Sequence, residues 1–429
     1  MKKIVFIIII FLLLAGCSKL LLDFEKHPRG DNPNDPMGPT PPTVENDGSW
    51  LFMVYLDAAN NLEEAGVADL DEMTKVDFTG YSGKNITKIV LMDRINGYST
   101  ADGDWKGAKL IKIEPNGGKT YLSNVINGTA VSRAGNAEIN MGDPNTLKDF
   151  IQYCINNYGT GMNYFLLDIW NHGGGWRNDG DPQNDIRKAI CWDDDNGSDT
   201  LYMDEVQQAL SAAGKKMDII YMDACLMQMM EVNYELRNLT SYLVASEETV
   251  PGNGGDYTDI FTRYKNLTDK HTPYNFSYEI VGSYRNQYYT TSDTTLSAID
   301  ETKISAFMTA LNTFADNLQK VDGAKIKDVR SKTKSFAYTD QADLYHFAQL
   351  CNEKISGGVA GASEVMSAVN ALMIKEYHHG SSMSDCHGIA IYFPPNPSQV
   401  DATYWTSSGL DIVSAGSKWV NFLQWWKQQ

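Results

Sequence analysis

From residue 50 onward the chain alternates short, nearly continuous apolar runs with longer stretches whose apolar positions recur at helical spacing. Leu51 to Leu56, Ile86 to Met92, Phe165 to Trp170 and Ile219 to Met222 are runs of the first kind, as expected of strands covered on both faces. Asn61 to Lys75 reads as a helix. Pro144 to Tyr158 reads as another, with its proline at the start and Leu147, Phe150, Ile151, Cys154 and Ile155 along one face. Strands alternating with helices predict parallel βαβ units, and hence an α/β fold with a mostly parallel sheet flanked by helices. Residues 108–115 alternate apolar and polar side chains and are expected at a sheet edge or in a hairpin.

Beyond about residue 266 the pattern changes. Residues 303–321 and 342–355 read as amphipathic helices, Thr295 to Ile299 and Gly388 to Phe393 as strands. The tail places Trp419, Phe422, Leu423 and Trp426 on one helical stripe, expected to pack in a core. A core of residues 49–265 and a C-terminal α+β region of residues 266–429 that completes it are therefore expected.

Two of the apolar runs stop on chemistry. Ile219 to Met222 gives way to Asp223, Ala224 and Cys225, and Leu226 to Leu236 then shows helical spacing. Cys225 is expected at a strand-to-helix junction, where backbone amides and the helix dipole favour a thiolate, its reactive form. Phe165 to Trp170 likewise ends just before His172, which is followed by Gly173, Gly174 and Gly175. Sites in open α/β sheets form at the carboxyl ends of strands, and the chain between the two is long enough for a crossover helix and a loop. The two ends can therefore lie side by side. The glycines remove side chains where a substrate backbone must approach, and the Gly173 and Cys225 amides are candidate oxyanion donors. Asp223, two residues before the thiol, points to the same side of its strand. Its carboxylate suits a charge-assisted pair with an Arg or Lys of a substrate.

The stretch HGGGW at 172–176, followed by DAC at 223–225, resembles the clostripain-like cysteine peptidases, relatives of the caspases, gingipains and legumain. Residues 50–63, 139–151, 246–254, 294–300 and 387–394 resemble the same family's pattern, so the likeness runs from about residue 48 to near the C-terminus. It implies a caspase-like sheet and hydrolysis of peptide bonds through a thioester on Cys225, with His172 moving the proton. A Cys–His dyad suffices in such folds, and no third catalytic residue is evident. The resemblance also implies a specificity pocket walled by the exit of the strand from Tyr242 to Val250, which carries Ser246, Glu247 and Glu248. Members of the family are made as precursors cut between their His and Cys segments at a basic residue. Arg187 and Lys188, inside the polar stretch 177–200, occupy that place. The implied partners are peptides or proteins with basic residues, the chain is expected to act as a monomer, and no cofactor is implied. The competing reading is a catalytically silent, surface-binding lipoprotein of the same fold.

The amino terminus adds an address. Lys2 and Lys3, the apolar run Ile4 to Leu14, and then Ala15, Gly16 and Cys17 resemble a bacterial lipoprotein signal. The run is short for a bilayer, which takes roughly 20 apolar residues. Residues 1–16 are expected to be removed and Cys17 to carry lipid, anchoring the protein in the bacterial cell envelope at the outer membrane or cell surface. Residues 17–48 scatter Pro28, Pro33, Pro36, Pro39, Pro41 and Pro42 among Asn, Asp and Gly, the composition of a tether.

Composition narrows the function further. A formal charge of −18 and the lack of any Lys/Arg-rich run exclude nucleic acid as a partner. Asp193 to Asp199 resembles part of a calcium loop by composition but lacks the Glu at its twelfth position, so calcium is an open expectation and no metal ligand is assigned. His378, His379, Cys386 and His387 do not have the spacing of a tetrahedral zinc site. With Cys17 and Cys225 set aside, Cys154, Cys191, Cys351 and Cys386 allow three disulfide pairings, among which the sequence does not choose.

Overall fold

The central strands are apolar throughout because each feeds two cores. Along Trp50–Ala58 (β1), Leu51, Met53 and Tyr55 pack into one buried cluster, and Trp50, Phe52, Val54 and Leu56 into another on the opposite face. Leu167 and Leu166, or Ile220 and Ile219, divide in the same way. A residue between two helical layers has no solvent side, so the period-2 polar alternation of an exposed strand disappears.

The computed structural model describes residues 47–81, 84–133, 136–176, 190–291 and 293–429. These belong to one compact unit. The expected signal segment, Cys17 and the basic pair Arg187 and Lys188 lie outside the described residues, as does nearly all of the expected tether.

Eight more strands join β1: Ile86–Arg94 (β2), Lys109–Ile113 (β3), Lys119–Leu122 (β4), Tyr164–Trp170 (β5), Met217–Asp223 (β6), Thr240–Ala245 (β7), Thr294–Asp300 (β8) and Met373–His379 (β9). They form a single nine-stranded sheet in the order β9-β8-β7-β6-β5-β1-β2-β3-β4. The five central strands, β2, β1, β5, β6 and β7, are parallel. Antiparallel pairs close both edges: β3 and β4 on one side, β8 and β9 on the other. The sheet is thus mostly parallel and flanked by helices, with the 109–113 segment in an edge hairpin. Helices Glu63–Glu72, Tyr257–Asn266 and Pro273–Tyr288 cover one face. The other carries Pro144–Tyr158, Met203–Ala213, Ile304–Leu318, Leu344–Lys354 and the tail helix Lys418–Trp426.

Two local expectations need correction. The helix after Cys225 begins at Met230, not Leu226. Leu226 has a left-handed φ of 63°, and the amides of Leu226 and Gln228 bond to the carbonyls of Glu248 and Ser246. The methionines that suggested a continuous helix are buried in the core from an irregular loop, which satisfies the same apolar pattern. Cys225 therefore gains nothing from a helix dipole. The strand expected to reach Val250 ends at Ala245 for the same reason, because Ser246 and Glu248 are occupied in bracing the cysteine loop. The strand expected within Gly388 to Phe393 is present as Ala390–Tyr392, which pairs with Gln341–Asp343 in a separate two-stranded ribbon outside the main sheet.

Candidate active site

β5 and β6 are neighbours, and their register sets Trp170 opposite Asp223. His172 and Cys225 each lie two residues past that matched pair, at the carboxyl end of the sheet. The Asn171 amide bonds to the Asp223 carbonyl at 3.4 Å, which holds the two exits together. A Cβ added to Gly173 would run into the Cys225 carbonyl oxygen and lie 3.0 Å from Ala224 Cβ. The backbone after the imidazole thus rests directly on the backbone of the thiol, a packing that only glycine allows. Gly173 also forms an isolated antiparallel bridge with Ile190.

Both reactive side chains are partly buried, and each has a partner. His172 Nε2 lies 2.8 Å from Asn61 Oδ1. With the amide oxygen as acceptor, Nε2 carries the proton and Nδ1 keeps its lone pair. The imidazole also lies against the Trp192 ring, centroid to centroid 4.8 Å. The Cys225 Sγ accepts the Val250 amide at 3.3 Å and faces the Val250 carbonyl at 3.8 Å. Burial pushes the Cys225 thiol up, with the Val250 amide opposing it and the Asp223 and Glu248 carboxylates adding to the rise. Burial lowers the imidazole, against the pull of Asp194. Both effects favour a neutral thiol beside a neutral imidazole in the resting state.

Asp223 lies behind the thiol and is 5% exposed. Its Oδ2 accepts the Gly255 amide at 2.7 Å, and the Tyr257 hydroxyl is 3.2 Å away. The same hydroxyl is 2.7 Å from Asp168 Oδ2, while the other Asp168 oxygen has no partner. Asp69 accepts the Trp170 indole N–H at 2.7 Å and adds to this group. Burial pushes Asp223 up to about 6, although the Gly255 amide and the hydroxyls of Tyr257 and Tyr221 hold it back. Three carboxylates with no Lys or Arg bonded to them among the described residues make the ground behind the thiol receptive to a cation.

Ser246, Glu247 and Glu248 sit beside the thiol loop with their side chains turned inward. The Ser246 hydroxyl meets Thr295 Oγ1 at 2.9 Å, Glu247 accepts the Gly388 amide at 3.0 Å, and Glu248 accepts the amides of Thr249 and Ala337 at 2.8 and 3.1 Å. The described cysteines, Cys154, Cys191, Cys225, Cys351 and Cys386, are all free thiols. Sequence reasoning missed Asn61, Trp192 and Val250, three residues that touch His172 or Cys225. Asn61 follows β1 and Val250 follows the brace, so only the sheet order brings them here; a lone Asn or Val carries no motif of its own.

A model of the Clostripain family matches residues 54–426. Clostripain from Hathewaya histolytica is 37% identical over 233 residues, which are 50% of this chain and 42% of clostripain, so the match spans less than half of that relative's length. Among solved structures, a secreted C11 cysteine protease from Bacteroides thetaiotaomicron in complex with an irreversible peptide inhibitor is similar in fold. Its TM-score is 0.61 at 19% identity, covering 88% of this chain and 99% of that one. An inactive zymogen C11 protease from Parabacteroides distasonis gives 0.59 at 16% identity, covering 90% and 99%.

Proposed function

The chain belongs to the clostripain family, and we propose that it is a cysteine endopeptidase cutting after Arg or Lys through the dyad of Cys225 and His172. The observation that carries this reading is the matched exit of two adjacent parallel strands, each delivering one reactive side chain two residues past the Trp170–Asp223 pair. Cys225 Sγ adds to the scissile carbonyl carbon as the thiol proton passes to His172. The carbonyl π pair becomes the oxyanion, held by the backbone amides of Gly173 and Cys225. His172 then gives the proton to the departing amine, which leaves a thioester; water, deprotonated by His172, releases the acid and restores the thiol. Losing one oxyanion donor in such chemistry costs on the order of 2.7 to 4 kcal/mol of barrier.

Asp223, with Asp168 and Asp69 behind it, supports the basic preference. A guanidinium or ammonium entering beside the thiol replaces the Gly255 and Tyr257 hydrogen bonds of Asp223 with a charge-assisted pair. Clostripain-type maturation by a cut near Arg187 or Lys188 belongs to the same proposal, as does anchoring of the protein in the envelope by lipid on Cys17. The test compares the purified protein with Cys225→Ala on arginyl, lysyl and neutral fluorogenic peptides. Hydrolysis of the two basic peptides by the native protein alone is the expected result. Equal signals from both proteins would instead make this a silent, surface-binding member of the family. On the same gel, a cut within 177–200 should appear in the native protein and vanish in Cys225→Ala.

A further inference from the structure

The ribbon of Gln341–Asp343 and Ala390–Tyr392, outside the main sheet, meets both of the loops that carry the reactive side chains. On the cysteine side, the Ala390 amide donates to the Gln228 carbonyl at 2.9 Å, and Met229 forms a bridge with Ala390. On the histidine side, the Trp176 ring stands edge-on to Tyr392, centroids 4.9 Å apart, and Gln341 Nε2 donates to the Gly174 carbonyl at 3.3 Å. Gln341 is 1% exposed. A carbonyl can only accept, so the amide nitrogen serves Gly174. Among the described residues, Gln341 Oε1 is buried without a partner.

Leaving half of a buried amide unpaired is costly, and an apolar side chain of the same length would fill the place without that orphan. What the glutamine supplies is a grip on backbone that has no side chain to hold. Gly173, Gly174 and Gly175 have the most conformational freedom to lose. Gly175 has a φ of 85°, and a Cβ there would lie 2.5 Å from Met229 Sδ and 2.8 Å from Gln341 Nε2. The glycine run is thus pressed between the cysteine loop and Gln341. The ribbon itself is fixed at both ends. The Arg330 guanidinium, 1% exposed, donates to the carbonyls of Phe393 and Thr339 at 2.7 and 2.6 Å and to Ser335 Oγ at 2.9 Å.

We propose that Gln341 is a positioning residue for hydrolysis, holding the glycine run so that the Gly173 amide stays aimed at the oxyanion. The proposal rests on the peptidase reading and brings a residue of the C-terminal region into it. Gln341 touches no reacting atom; it acts through the Gly174 carbonyl, two peptide units beyond the Gly173 N–H. With that carbonyl held, the N–H cannot swing away as negative charge develops, and a donor already in place costs no reorganisation during the reaction.

The test is Gln341→Met in the full chain, which keeps the side chain's length and removes the donor. It reads kcat and KM on an arginyl peptide, the inhibition constant of an arginyl peptide aldehyde, and Tm. The aldehyde isolates the oxyanion: Cys225 Sγ adds to its carbon, the thiol proton passes to His172, and the carbonyl π pair becomes an oxyanion with no leaving group. The expected fall in kcat is about tenfold, the upper weight of one neutral hydrogen bond, against about 10²- to 10³-fold for removing an oxyanion donor outright. Aldehyde binding should weaken by the same factor while KM holds, because the lost interaction serves the transition state. Tm should stay within about 2 °C, since one unpartnered oxygen is removed and another, on Gly174, is left. Gln341→Leu repeats the comparison if Gln341→Met does not fold. Unchanged kcat and aldehyde affinity overturn the proposal. So does a loss of both in proportion to a fall in Tm, or failure of both variants to fold, either of which would make Gln341 a packing residue. A native protein that hydrolyses no peptide overturns the peptidase reading and this proposal together, whereas an active native protein with an equally active variant overturns this proposal alone.

Discussion

At the scale of single residues, the resting site holds its two reactive groups apart chemically while keeping them adjacent. Burial favours the neutral thiol, which accepts the Val250 amide, and the imidazole meets Asn61 through Nε2. In the proposed mechanism, anchoring the far nitrogen leaves Nδ1 to take the thiol proton, which would make Asn61 a positioning residue. Asn61→Ala is expected to lower kcat about tenfold or more and to leave Tm nearly unchanged, since the residue is exposed; unchanged kinetics would remove it from the mechanism. Asp223 gives a pH signature. Burial raises its pKa to about 6, so the carboxyl is neutral below that pH and a carboxylate above it. Affinity for a basic side chain should therefore strengthen as pH rises through about 6. KM for an arginyl peptide is expected to fall across that range, while KM for a neutral peptide stays flat. Asp223→Asn should abolish the step and cost on the order of 10- to 100-fold in kcat/KM for the arginyl substrate, the weight of a charged hydrogen bond. A step that survives the substitution would assign it to another group.

At the scale of elements, the site is a consequence of strand order. β5 and β6 lie side by side and in register, and the glycines after His172 let the two exits touch. Gly173→Ala is expected to displace the Cys225 loop, because the new methyl group meets its carbonyl oxygen. Activity should fall at least a hundredfold with a smaller proportional loss of stability, read as kcat beside a urea midpoint; full activity would show that the exits are not in contact. That the exits carrying His172 and Cys225 lie side by side was legible in the sequence, because each residue follows an apolar run that reads as a buried strand of one parallel sheet. The parallel core was legible because strands buried on both faces lose their polar alternation. The loop from Leu226 to Met229 was not, since the buried methionines of an irregular segment share the spacing of a helix. Asn61 was invisible for another reason: its meaning arises only when β1 is set beside β5.

At the scale of the whole molecule, the C-terminal region is part of the same sheet and core. β8 and β9 extend the sheet beyond β7, and Trp419, Phe422, Leu423 and Trp426 are buried as the helical stripe predicts. The Trp426 indole N–H also bonds to the Pro394 carbonyl at 3.2 Å. Trp426→Ala should destabilise the protein by about 3 to 5 kcal/mol in a single cooperative unfolding transition; two separated transitions would mean that the C-terminal region folds independently. The account as a whole rests on two distant chain segments meeting at one substrate carbonyl. The most direct test is covalent labelling with an arginyl chloromethyl ketone, followed by mass mapping of the modified peptide, in the native protein and in His172→Ala. Stoichiometric alkylation of Cys225, lost in His172→Ala, is the expected result. Modification of any other residue, or equal labelling of Cys225 in both proteins, would contradict it.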